Sequence, residues 1–124
     1  MPIGSAATVI GTIDDLRHRL TSAWRSDTSF LPRDWSADNP AIGQCAVTAL
    51  VVQDLFGGEL RRGHTDSQTH YWNLLPDGQE LDLTASQFVV RPVFVDTAVR
   101  SREYVLSFEA TRQRYRRLRC NLGL

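Results

Sequence analysis

The stretch Thr69-His70-Tyr71-Trp72-Asn73-Leu74-Leu75-Pro76-Asp77-Gly78-Gln79-Glu80-Leu81-Asp82-Leu83 places two β-prone runs on either side of a turn. Residues 69 to 75 and 79 to 83 read as paired strands of a hairpin, and two loops can join them. A two-residue Asp77-Gly78 loop is a type I′ turn and leaves Pro76 inside the strand pair. A three-residue loop starts a type I turn at Pro76, runs through Asp77 and closes with Gly78 in the left-handed region as a bulge. Proline fixes the φ that the first central position of a type I turn needs, which favours the three-residue loop. Side chains alternate faces along a strand, so a slip of one residue exchanges the faces. The two-residue loop sets Asp82 opposite Asn73, facing away from His70. The three-residue loop sets Asp82 opposite Trp72, on the face of His70 and one diagonal step from it, within reach of a carboxylate–imidazole contact.

Upstream, Gln44 to Phe56 predicts a helix whose apolar residues point nearly all round, the pattern of a buried helix. Gly57-Gly58 ends it. Cys45 stands at its start. A thiol at a helix start, then an imidazole and a carboxylate on paired strands, is the order of a thiol acyl-transfer triad. A thiol must ionise to act as a nucleophile, and a helix N-terminus or a neighbouring imidazolium favours the thiolate. In that reading Cys45 is the nucleophile, His70 holds the thiolate and shuttles the proton, and Asp82 orients the ring. An oxyanion needs aimed donors. The candidates are the backbone N–H of Cys45 and the side chains of Gln44, Asn39 and Trp35. Each residue also has a plainer role: a small buried thiol, a strand histidine bonded to a carbonyl, a carboxylate capping the turn before Thr84, polar side chains stitching a loop to a helix. Trp72 reads as core beside the imidazole. A zinc site from Cys45, His64, His70 and Asp82 lacks any recognised ligand spacing, so no metal and no cofactor are expected.

Outside this segment, residues 1 to 11 read as a loose terminus. Thr12 is an N-cap candidate, and residues 13 to 25 carry Ile13, Leu16, Leu20 and Trp24 at helical spacing. Residues 26 to 42 read as a loop pinned by Phe30, Leu31 and Trp35. Glu59 to Arg62 reads as a short strand and His64 to Gln68 as a turn. Val89 to Val95 reads as a third strand or extended segment, placed at an edge or bulge by Pro92. Tyr104 to Phe108 is ambiguous, and Glu109 to Arg119 reads as a basic helix with Tyr115 and Leu118 turned inward. The whole is an α+β domain with helices packed on one face of a small antiparallel sheet.

A chain of 124 residues is one domain, long enough to bury a core without metal or disulfide support. The two cysteines, Cys45 and Cys120, are no disulfide framework. No basic-then-apolar leader opens the sequence and no apolar run reaches membrane-spanning length, so a reduced cytoplasmic setting and no membrane partner are expected. All fourteen Lys-plus-Arg positions are arginine, and fourteen acidic residues balance them. Zero formal net charge gives the molecule as a whole no nucleic-acid footprint.

Two resemblances meet at these residues. Gly43-Gln44-Cys45 resembles the Gly-Gln-Cys that opens the catalytic helix of transglutaminases; His70-Tyr71-Trp72 resembles their His-x-Trp, and Asp82-Leu83-Thr84 their Asp-Pro-Thr. Ala46 stands where those enzymes carry a bulky aromatic. The resemblance, to the papain-like and transglutaminase-like cysteine superfamily, implies a core in which a buried helix with an N-terminal cysteine packs on a small antiparallel sheet. It also implies an acyl-enzyme mechanism with Cys45, His70 and Asp82 in the catalytic positions. The second resemblance spans nearly the whole chain. Asn39-Pro40-Ala41, the run from Gly43 to Leu50, His70-Tyr71-Trp72-Asn73 and Asp82-Leu83-Thr84 resemble the small bacterial proteins called YunG-like.

The expected function is therefore a thiol hydrolase or acyltransferase acting on an amide- or ester-containing substrate. The alternatives are a catalytically silent binding module that keeps the shape of the site, and an interaction protein working through the arginines of the last helix.

Overall fold

The computed structural model describes residues 9–124, so most of the segment expected to be loose lies outside the described residues. Within that segment, Ile10 packs against the core. The β2–β3 hairpin has the three-residue loop. Strand β2 (Thr69–Leu74) pairs with β3 (Glu80–Leu81) in the register Asn73↔Leu81 and Leu74↔Glu80. The Leu75 N–H donates to the Gln79 carbonyl at 2.8 Å, and the Gly78 N–H to the Leu75 carbonyl at 2.9 Å. Gly78 closes the turn at φ +88°. Continued by one residue, this register sets Asp82 across from Trp72, on the face of His70. β3 is shorter than its sequence suggests, because the chain turns away after Leu81 into a 3₁₀ turn at Ala85–Gln87.

β1 (Glu59–His64) lies on the other side of β2, and β4 (Val95–Arg100) beyond β1. The antiparallel order is β3-β2-β1-β4. The strand expected over Val89 to Val95 begins only at Val95. Pro92 has no N–H to give a ladder, and Val89, Val90 and Val93 stand exposed; Val95 and residues 98 to 100 carry the pairing with β1 instead.

Helix α1 (Ile13–Ala23) opens with a reciprocal cap. Thr12 Oγ1 accepts from the Asp15 N–H at 3.0 Å, and Asp15 Oδ2 accepts from the Thr12 N–H at 3.1 Å. Its buried stripe is Leu16, Leu20 and Ala23. Just past its end, the Trp24 indole N–H donates to Thr48 Oγ1 at 2.9 Å, tying α1 to helix α2 (Cys45–Phe56). α2 is apolar all round because it is packed on both sides. Val47, Val51 and Val52 meet α1 and the last helix, while Ala49 and Leu50 meet Leu60 of β1 and Val105. Burying one such leucine contributes about 2 kcal/mol. Asn73 Nδ2 donates to the Ala49 carbonyl at 2.9 Å, which fixes the level of α2 along β2. The short helix α3 (Arg102–Leu106) resolves the ambiguous segment, and α4 (Glu109–Leu122) closes the chain. Asp54 of α2 forms ion pairs with Arg102 and Arg119, pinning α3 and α4 to it.

The two sheet faces are covered differently. Leu60, Tyr71 and Asn73 face α2. His70 and Trp72, on the opposite face, are covered by Phe88 and Phe94 from the irregular segment between β3 and β4.

Candidate active site

Cys45 owes its position to the turn before it. Gly43 has φ +71°, and a Cβ there would fall 2.3 Å from Ser29 Oγ and 2.7 Å from the Leu31 nitrogen. That close approach lets the Phe30 N–H donate to the Gly43 carbonyl at 2.8 Å and Ser29 Oγ to the Ile42 carbonyl at 2.7 Å. Residues 29–31 are thereby laminated against the entry to α2. Gln44 is the N-cap residue, yet it makes no side-chain capping bond. The first-turn N–H groups of a helix have no acceptor within it. With no cap, those of Cys45, Ala46 and Val47 keep their donor capacity where their residues line a cleft.

His70 is 1% exposed. Its Nε2 donates to Asp82 Oδ2 at 2.7 Å, and the other carboxylate oxygen, Oδ1, accepts from the Thr84 N–H and Oγ1, both at 3.2 Å. Asp82 thus holds the ring with one oxygen and caps the following turn with the other. With Nε2 occupied, Nδ1 is the ring nitrogen left for a second partner. Phe94 stacks on the imidazole at 4.9 Å between centroids and Trp72 at 5.9 Å, while Phe88 meets it edge-on at 5.1 Å. Gly63, opposite His70 in the ladder, makes room for this stack: a Cβ there would lie 2.7 Å from Phe94 Cβ and 3.0 Å from the Trp72 ring.

Burial by itself disfavours the imidazolium. The hydrogen bond to Asp82, the nearby Cys45 sulfur and the charges of both outweigh it, and raise the His70 pKa from 6.5 to about 9. The structure therefore joins His70 to Asp82 and sets Cys45 near enough to the ring to act on its charge.

A cleft of about 810 Å³ opens at the N-terminus of α2. Cys45 lines it, whereas His70 and Asp82 do not. Ala46, at the position noted for its small side chain, also lines the cleft. The side chains expected to serve an oxyanion are tied elsewhere. The single N–H of the Trp35 indole donates to the Pro40 carbonyl at 3.1 Å, so it has no donor to offer. Gln44 Nε2 donates to the Arg25 carbonyl at 3.0 Å, and Asn39 Nδ2 to the Gln87 carbonyl at 3.4 Å; both stitch loops together, and neither residue lines the cleft. Of the expected donors, the backbone N–H of Cys45 is the one at the cleft. His64 also lines it, with Nδ1 3.0 Å from Thr69 Oγ1. Among the described residues no group of three or more His, Cys, Asp or Glu side chains is placed to hold a metal. Both cysteines are free, Cys45 half-buried and Cys120 exposed.

Sequence reading passed over Phe88 and Phe94, which build the wall behind the imidazole, and Tyr71 and Arg114, which line the cleft beside the sulfur. The alternation along β2 could have assigned Tyr71 to the face of α2; no local signal marks the others. Among the described residues no helix is long and apolar enough to cross a membrane.

Comparison with known proteins agrees with this whole-chain pattern. No solved structure matches the chain. The uncharacterized protein YunG of Bacillus subtilis (strain 168) is 31% identical over 107 residues, covering 86% of this chain and 88% of that protein. The family model described as YunG protein matches residues 12–123, and the chain belongs to that family.

Proposed function

We propose that this protein is a thiol hydrolase or acyltransferase acting on an amide or ester, with Cys45 as nucleophile, His70 as acid–base and Asp82 as the group that orients the ring. One observation carries the reading: a buried imidazole gripped at Nε2 by a carboxylate, with a half-buried thiol near it that opens onto a cleft. Within it the domain is a small member of the papain-like and transglutaminase-like architecture.

The chemistry follows from the arrangement. The Cys45 thiolate attacks the substrate carbonyl carbon and forms a C–S bond, while the carbonyl electrons move to oxygen. The uncapped N–H of Cys45 donates to that oxyanion. As the oxyanion collapses, the C–N or C–O bond breaks and the His70 imidazolium gives its proton to the leaving amine or alcohol. Water or an acceptor amine then loses a proton to His70 and attacks the thioester, releasing Cys45. Asp82 accepts from Nε2–H and holds the proton on that nitrogen, so Nδ1 remains the working nitrogen.

The test is alkylation by iodoacetamide across about pH 5 to 8, read by mass spectrometry on the Cys45 and Cys120 peptides. Cys45 is expected to react at pH values where Cys120 is inert, and His70→Ala to remove that advantage. Equal rates for the two thiols throughout the range would end the proposal. A catalytically silent binding module is the second reading, favoured by the nearly complete burial of His70. It calls for equal thiol rates and for no acyl adduct on Cys45 after exposure to p-nitrophenyl acetate.

A further inference from the structure

The walls of the cleft have a one-sided charge. Arg62 of β1 and Arg114 of α4 line it, and no aspartate or glutamate does. In a chain whose acidic and basic residues balance, this is a local separation of charge. The carboxylates that pair with arginine do so elsewhere: with Arg17, Arg102, Arg112 and Arg119. Among the described residues neither cleft arginine has a carboxylate partner. Arg62 donates to the Asp96 carbonyl at 3.2 Å and Arg114 to Thr111 Oγ1 at 3.2 Å, each through one Nη2. The Nε of each is buried with no hydrogen-bond partner. Arg114 also stacks over the Phe30 ring at 5.4 Å, which holds its planar fork in place. It stands close enough to Cys45 for the thiolate charge to act on it.

A second observation points the same way. Two longer helices lack a side-chain N-cap, α2 and α4, and both begin at this cleft: Cys45, Ala46 and Val47 of one line it, as do Ala110 and Thr111 of the other and Phe108 just before it. α1, which carries a full cap, contributes nothing to it. Two uncapped helix N-termini and two unpaired guanidinium groups make a field that favours an anion.

We infer that the acyl substrate carries an oxyanion group, a carboxylate or a phosphate, which Arg114 and Arg62 bind while its carbonyl sits at Cys45. The inference rests on the thiol chemistry proposed above and names its substrate class. Arginine suits the task because its fork meets either oxyanion through two parallel hydrogen bonds. Tyr71, Tyr104 and Phe108 supply an apolar and aromatic wall for the carbon chain between the two ends.

Iodoacetate and iodoacetamide deliver the same alkylation, one from an anion and one from a neutral molecule. Their rate ratio at Cys45, divided by the ratio at Cys120 in the same tube, isolates the preference for charge. An attraction of unit charges a few ångströms apart at a partly screened site gives an expected preference of about tenfold. Arg114→Gln should lower it several-fold, and Arg114→Lys should restore much of it. Millimolar succinate or inorganic phosphate should slow iodoacetamide at Cys45, and whichever protects better identifies the oxyanion. A ratio at Cys45 equal to that at Cys120 overturns the inference. So does an Arg114→Gln variant that slows both reagents equally, since the arginine would then act on the thiol and not on the reagent. Failure of the enzyme reading looks different. Cys45 would then be no faster than Cys120 with iodoacetamide, and a persisting iodoacetate preference would still support anion recognition by the cleft.

Discussion

Asp82→Asn keeps the shape of the side chain beside His70 and removes its charge, which exposes the balance of forces on the ring. In the native protein burial works against the cation, and the Asp82 and Cys45 interactions overcome it to place the His70 pKa at about 9. With Asp82 neutral, two of the interactions that oppose burial are lost and the imidazole should titrate lower. The same shift sets the pH dependence of stability. The folded value lies above the unfolded 6.5, so the folded state binds the proton more tightly. The resulting stabilisation is fully present below about pH 6.5 and is lost as pH rises through about 9. At 1.36 kcal/mol per pH unit it amounts to about 3 kcal/mol, or roughly 10 °C in Tm for a domain of this size. Thermal melts by circular dichroism from about pH 6 to 9.5 should show that decline in the native protein and a shallower one in Asp82→Asn. ¹⁵N imidazole spectra give the site value directly, and Cys45→Ala separates the contribution of sulfur from that of the carboxylate. A native His70 titrating at or below 6.5, or an Asp82→Asn ring titrating no lower than the native one, would refute the reasoning.

Other substitutions test the frame that positions the site. Gly63→Ala puts a methyl 2.7 Å from Phe94 Cβ and 3.0 Å from the Trp72 ring; it should cost about 1–3 kcal/mol in denaturant melts and loosen the stack over His70. Gly58 and Gly78 both have positive φ, but a Cβ at Gly58 would strike the Leu74 carbonyl oxygen at 2.2 Å, whereas at Gly78 nothing lies within 4 Å. Gly78→Ala should therefore cost only the strain of about 1 kcal/mol, and Gly58→Ala clearly more; equal losses would contradict the packing described. Leu50→Ala, between α2 and β1, should lower stability by about 2–5 kcal/mol through the cavity it leaves.

What the sequence revealed, and what it did not, divides by the range of the interactions. The loop Pro76-Asp77-Gly78 was legible because its chemistry is local: one residue fixes φ, another tolerates the left-handed region, and together they set the register. The facing of Asp82 toward His70 followed from that register alone. The burial of α2 was legible because an all-round apolar surface has no other stable place. The start of β4 was not, since β-branched residues mark strand propensity while a strand exists only where a partner ladder accepts its N–H groups. Phe88 and Phe94 come from a segment with no period, so nothing in the sequence aims them at the imidazole. Trp35 and Gln44, read as oxyanion candidates, each donate to a backbone carbonyl, a pairing visible only once the chain is folded. Arg114 is one of five arginines on α4. Arg112 pairs with Glu109 one turn back and Arg119 with Asp54 of α2, whereas Arg114 lines the cleft, a sorting that composition does not show.

The zero net charge sharpens what an anion preference at Cys45 would mean. A strongly basic protein would attract iodoacetate to any exposed thiol, and Cys120, on an arginine-rich helix, would share the gain. Here the long-range field cancels, and beyond the Debye length of about 10 Å at 0.1 M salt a reagent meets no sustained attraction. Any excess rate at Cys45 over Cys120 must then arise within the cleft, from Arg62, Arg114, the two uncapped helix ends and the His70 imidazolium near the sulfur. These sources separate by salt and pH. The contribution of His70 fades as pH rises through about 9, whereas the arginines stay charged. The sheltered cleft groups are screened less than the exposed arginines around Cys120. Raising NaCl from about 0.05 to 0.5 M should therefore flatten the iodoacetate preference at Cys120 while leaving most of that at Cys45. A preference at Cys45 that collapses in parallel with the one at Cys120 would place its origin on the open surface and not in the cleft.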